Sequence, residues 1–136
     1  MAERFVIEIE KTRKATGPGM KLLTEELRRQ LPPIGSQDGK GGDAVAYAKF
    51  FTPDGSWTWY ATEYSPGEGL FFGLVEGFEK ELGYFSLAEL ESVTGPLGLH
   101  IERDLYWKPR RLCEIAPELF REPSERPALQ QGPAGR

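Results

Sequence analysis

Cysteine and histidine are nearly missing from this sequence, which has one of each among 136 residues, Cys113 and His100. A single cysteine excludes an internal disulfide framework, and the two residues together cannot assemble a zinc site from several Cys and His ligands. No cofactor and no resident metal is therefore expected, and the reducing cytoplasm is the expected compartment. Long apolar runs are also lacking. Nothing approaches the roughly 18 uninterrupted apolar residues of a membrane helix, so no membrane association is expected. The segment Met1 to Glu10 interleaves charged and apolar side chains and has no small-residue cleavage site, so it does not read as a secretory signal. Basic charge is in short supply too. Seventeen Lys and Arg against 21 Asp and Glu leave a net charge of −4, the wrong sign for non-specific attraction to a phosphate backbone. Internal repeats and sustained heptads are absent.

What is present suits one domain with tails: 39% hydrophobic and 28% charged residues over this length can close a single core. Three regions are expected, an N-terminal strand and turn over 1–20, a dense body over 21–115, and a Pro/Gly/Gln-rich tail over 116–136. Phe5, Ile7 and Ile9 alternate with polar neighbours as a short strand does. The tail carries Pro117, Pro123, Pro127 and Pro133 with few apolar residues. Such a stretch buries too little surface to offset its ordering entropy, and is expected to be mostly disordered, or draped on the surface near Ile115 and Leu119-Phe120.

In the body, Thr24 followed by Glu25 and Glu26 predicts a helix start, with a side-chain acceptor and carboxylates at the positive end of the dipole. That helix must stop before Pro32-Pro33. Gly35 to Asp43 reads as a flexible loop. Ala44 to Phe51, Ser56 to Tyr64 and Leu70 to Phe78 read as strands joined by the Pro53-Asp-Gly55 and Ser65-Pro-Gly-Glu-Gly69 turns. Ser86-Leu-Ala-Glu89 fits a capping box that opens a helix to about Ser92. Leu97 to Trp107 reads as a last strand. The fold class is α+β: a central antiparallel β-meander with two or three short helices packed on it.

The glycine-rich loop fails as a phosphate loop. Gly35 and Gly39 are one residue too close, Gly41 stands where a magnesium-binding hydroxyl is needed, and the loop leads into a strand. Carboxylates are numerous, and Glu63 and Glu76 come from neighbouring strands that could set them opposite each other as an acid–base pair or a cation site. A solvated acidic face is the plainer reading. His100 and Cys113 lack any sequence signature of a nucleophile pair. Alternation puts Trp57 and Trp59 on one face of their strand and Tyr60 and Tyr64 on the other. The aromatic set is too large for one face of a small sheet, so part of it is expected as core and part exposed. Exposed aromatics stack bases or anchor a protein partner. Two basic clusters, Lys11, Arg13 and Lys14 and then Lys108, Arg110 and Arg111, would be the phosphate contacts if nucleic acid were the ligand.

Leu22-Leu-Thr-Glu-Glu-Leu27, Phe50-Phe-Thr-Pro-Asp54, Trp57-Thr-Trp-Tyr60, Phe71-Phe-Gly-Leu-Val-Glu-Gly-Phe78 and Glu81-Leu-Gly-Tyr-Phe-Ser-Leu87 together resemble an uncharacterised domain-of-unknown-function family. Its members are small proteins carried by bacterial plasmids, phages and integrative elements. The resemblance spans about Leu22 to Trp107 and implies a mobile-element setting, with no assigned reaction and no catalytic residues to carry over.

Three functions follow as expectations. The first is a protein-interaction module that inhibits or adapts host defence or nucleic-acid machinery, with Trp57, Trp59, Glu63 and Glu76 as its contact surface. The second is nucleic-acid binding through exposed aromatics and the two basic clusters. The third is a metal-dependent hydrolase built on Glu63, Glu76 or Asp104.

Overall fold

In the computed structural model, which describes residues 20–120, the first element is α1 (Glu25–Gln30), and its boundaries follow from local chemistry. The Thr24 hydroxyl accepts a hydrogen bond from the Leu27 N–H at 3.1 Å. Glu25 and Glu26 occupy the first turn and Arg28 and Arg29 the last, each sign at the dipole end that favours it. Leu31 is already extended, as a residue ahead of two prolines must be. The strand expected at Phe5 to Ile9, and the tail beyond Phe120, lie outside the described residues.

A 3₁₀ turn (Gly41–Asp43) leads to β1 (Val45–Ala46), and then come β2 (Ala48–Phe51), β3 (Thr58–Ser65), β4 (Leu70–Glu76) and β5 (Lys80–Ser86). The last four are consecutive antiparallel strands, one more than the three-strand meander the turns predict. Lys80 to Ser86 is the added strand, paired with β4 along its whole length. Helix α2 (Leu87–Ser92) starts where the capping box places it, with the Ser86 hydroxyl accepting from the Glu89 N–H at 3.2 Å.

The stretch from Leu97 to Trp107 differs from expectation. It contains only β6 (Glu102–Arg103), paired with Phe51 and Phe50 of β2, and an isolated Thr94–His100 bridge. The cause is Asp54, whose carboxylate accepts from the N–H groups of Leu97 and Leu99 and holds that segment as a loop. The five-stranded sheet has the order β5-β4-β3-β2-β6. A second, two-stranded sheet joins β1 to β7 (Arg110–Arg111), after which α3 (Leu112–Ile115) and α4 (Pro117–Phe120) close the described chain. Ala116 is fully buried and Pro117–Phe120 are helical, so the expected disordered tail does not begin at residue 116. The α+β class with a central antiparallel meander holds.

Strand β3 contains a bulge. Ala61 pairs with Gly73 but Glu63 pairs with Phe72, leaving Thr62 as the extra residue. The Thr62 hydroxyl donates to the Phe72 carbonyl at 3.0 Å. One added residue inverts the alternation beyond it. Trp57, Trp59, Ala61 and then Tyr64 therefore share one face, and Tyr60 and Glu63 the other, which corrects the pairing of Tyr60 with Tyr64.

Each face of the sheet has its own core. Leu22, Leu27 and Leu31 from the α1 region, Leu90 and Val93 from the α2 region, and Ile101 cover Phe50, Trp59, Phe71, Val75 and Phe85. Ala44, Ala46, Leu112 and Ala116 cover Tyr60 and Leu74 on the opposite face, with Trp107, Ile115 and Phe120 packed at the rim. Ile115 at the end of the body and Phe120 in the tail thus complete the second core.

Candidate functional site

The four residues expected to form a contact surface do not form one. Trp59 is fully buried and Trp57 is only 9% exposed, and their rings stack at 6.0 Å inside the first core. Phe78 closes over Trp57 edge-on at 5.2 Å. Alternation assigned both indoles to one face correctly, but that face is covered by α1, α2 and their flanking loops. Glu63 and Glu76 stand at opposite ends of the β3–β4 pairing, Glu63 across from Phe72 and Glu76 across from Thr58. They do not face each other. Glu76 is half-buried and sits 3.9 Å from Lys80.

Glu63 has a different task. It is 2% exposed, and its two oxygens accept the backbone N–H groups of Gly35 and Gln37, each at 2.8 Å. Gln37, also buried, donates through its side-chain amide to the carbonyls of Val45 and Thr62 and accepts from the Val45 N–H. A buried carboxylate must have such partners. The glycine-rich segment, expected to be flexible, is thereby pinned to β3 by two side chains. Gly35 at φ +96° supplies the left-handed turn that lets the N–H groups of 35 and 37 converge on one carboxylate.

The basic clusters separate. Lys11, Arg13 and Lys14 lie outside the described residues. Lys108 is exposed. Arg110 lies 3.9 Å from Glu114 and over the Trp107 ring, and Arg111 pairs with Asp43 at 3.1 Å and Glu114 at 3.3 Å. Both guanidinium groups are thus neutralised locally. His100 borders Leu22 and Leu90 on the first-core side, whereas Cys113 belongs to α3 over the second core, so the sheet stands between them. Among the described residues, no three His, Cys, Asp or Glu side chains converge as they would around a metal ion.

One groove was not foreseen. About 470 Å³ in volume, it runs between the β2–β3 turn and the strand β6 with the residues after it, and is lined by Lys49, Phe51, Trp57, Glu102, Arg103 and Tyr106 among others. Two ladder positions place its wall, Phe51 opposite Glu102 and Phe50 opposite Arg103. The Lys49 ammonium stands 3.9 Å from Asp104 and within 6 Å of the Tyr60 and Trp107 rings. The other Asp104 oxygen accepts the Tyr106 N–H at 2.9 Å, which shapes the turn that presents Leu105 and Tyr106. These two are 60% and 90% exposed. The Arg103 Nε is buried with no hydrogen-bond partner, and the Arg103 backbone N–H meets the Met20 sulfur at 3.0 Å. Tyr60 lies beneath this region with its phenol pushed up to about 12, first by burial and then by the carboxylates of Glu76 and Asp104. The only sequence signal for the groove is the pair of large apolar residues directly after Glu102-Arg-Asp104, which the single-strand reading absorbed.

No curated protein and no solved structure matches the chain. A family match covers residues 22–116, well over half of the chain and nearly the whole described body. It takes in the Glu63–Gln37 pin, all the buried residues of both cores and all of the groove lining but Met20, so the chain belongs to the family described as "Protein of unknown function (DUF2958)".

Proposed function

We propose that this domain is a protein-interaction module and that its contact surface is the groove beside β6, with Leu105 and Tyr106 as anchors. The observation that carries the reading is the exposure of these two adjacent side chains, 60% and 90%, at the mouth of a preformed cleft. A tyrosine left in water at the rim of a concave surface is the residue type that dominates binding energy in protein complexes. Lys49, Arg103, Glu102 and Asp104 surround it with both signs of charge. That mixture suits a protein surface with its own paired charges and does not suit a phosphate backbone. The mobile-element setting, with host defence or nucleic-acid machinery as the target, rests on the motif resemblance and extends the same proposal.

The test is affinity capture by the full chain from a bacterial host, with and without nuclease, using Tyr106→Ala and Leu105→Ser as variants. A partner that survives nuclease and whose affinity falls about tenfold or more in either variant supports the reading. A partner retained equally by both variants removes the groove from it. Recovery that nuclease abolishes, with affinity falling steeply in salt, would put nucleic acid in its place.

A further inference from the structure

Strand β5 ends the five-stranded sheet, and among the described residues it pairs with β4 alone. It is seven residues long, whereas edge strands are ordinarily kept short or covered. The hydrogen bonds at its two ends show which way its backbone points. Leu87 donates to the Gly69 carbonyl and Gly77 donates to the Glu79 carbonyl, and the register between these ends is unbroken. Antiparallel ladders alternate, so the odd-numbered residues bond to β4. Lys80, Leu82, Tyr84 and Ser86 therefore turn their N–H and C=O groups outward. Leu82 and Tyr84 are each 45% exposed, and Tyr84 packs edge-on against Phe72 at 4.9 Å. Free backbone groups and apolar side chains thus coincide on one edge.

We infer that this edge pairs with the same edge of a second copy, β5 to β5 antiparallel about a two-fold axis through Gly83. The register follows from parity, length and charge. Outward-facing groups must meet outward-facing groups, so the axis passes through a residue and not between two, and Gly83, the midpoint of Lys80–Ser86, is the position that pairs the strand along its whole length. An axis at residue 81 sets Glu81 against Glu81, like charges directly opposed. An axis at residue 85 runs the pairing into α2. At Gly83, Leu82 lies opposite Tyr84 of the second copy, Lys80 opposite Ser86, and Glu81 opposite Phe85. No like charges meet, every outward group finds a partner, and the four apolar side chains form one cluster continuous with Phe72. The interface is isologous, as closed dimers require.

Sedimentation velocity of the full chain from low to high micromolar concentration tests this. The expected result is a concentration-dependent dimer that Leu82→Lys/Tyr84→Lys converts to monomer with its circular dichroism and thermal melt retained. A wild-type chain that stays monomeric throughout, or a dimer that survives the double variant, overturns the proposal. The register has its own test in a Cys113→Ser background. The two Gly83 residues would form a non-hydrogen-bonded pair with Cα atoms about 4.5 Å apart, within disulfide reach. Gly83→Cys should cross-link two chains on mild oxidation, and Glu81→Cys should not. Cross-linking through 81 instead of 83 overturns the register.

Discussion

Glu63 holds both carboxylate oxygens against backbone N–H groups of a distant loop, so its replacement affects a segment nearly thirty residues away. Glu63→Gln keeps the shape but turns one acceptor into a donor facing an N–H. A buried hydrogen bond to a charged group lost in this way costs about 1.5–3 kcal/mol. The denaturation midpoint should fall accordingly, and amide exchange at Gly35 and Gln37 should accelerate; unchanged exchange there would refute the pinning role. Tyr60 makes a second prediction. Its phenol is raised from 10.0 to about 12 in the folded chain, mainly by burial. Below pH 10 both states hold the proton and the residue adds no pH dependence. Above it the unfolded chain releases the proton first, so stability should fall as pH rises from 10 toward 12. An absorbance titration should show a late phenol component that Tyr60→Phe removes, and the alkaline stability curve of that variant should be flatter. Neither role was legible in the sequence. Glu63 reads as one more acid on a strand because its partners are backbone groups, which leave no mark in side-chain chemistry.

At the scale of elements, legibility tracks how local the determinants are. The α1 and α2 starts were readable because Thr24 and Ser86 bond only three residues ahead. Thr24→Ala should therefore cost about 1 kcal/mol, measurable by chemical denaturation, with no change of fold. The failures are non-local. The Leu97 to Trp107 strand did not survive because Asp54, more than forty residues earlier, captures two of its N–H groups. The inversion along β3 depends on Thr62 adding a residue with no glycine or proline to announce it. Across from that bulge, a Cβ on Gly73 would run into the Tyr60 carbonyl oxygen, a backbone atom that cannot swing aside. Gly73→Ala should destabilise the sheet by about 3 kcal/mol; a thermal melt near wild type would show that β3 can shift to make room.

Considered as a whole molecule, the sheet is a partition between two cores assembled from different parts of the chain. The first draws its cover from 22–31 and 90–101, the second from 44–46 and 112–116. The aromatic surplus, too large for one face, is legible in the sequence, but the second cover is not: the body–tail boundary expected at 115/116 falls inside Leu112 to Phe120, a stretch too short for a recognisable period. A chain stopped after Arg111 should leave Tyr60 and Leu74 uncovered, lowering the melting temperature and binding a dye that reports exposed apolar surface. A truncated chain that melts like the full one would assign the second cover no weight. The same division has a consequence in time. A ribosome completes the meander before it has made 112–116, which finish the cover of the second face. At about 5–20 residues per second, the interval from β5 to α3 lasts a few seconds. Throughout it the second side of the nascent sheet has only the short cover of 44–46. A stall or premature stop in that window would present the cell with an ordered sheet whose other face is still open to chaperones, proteases and its own kind.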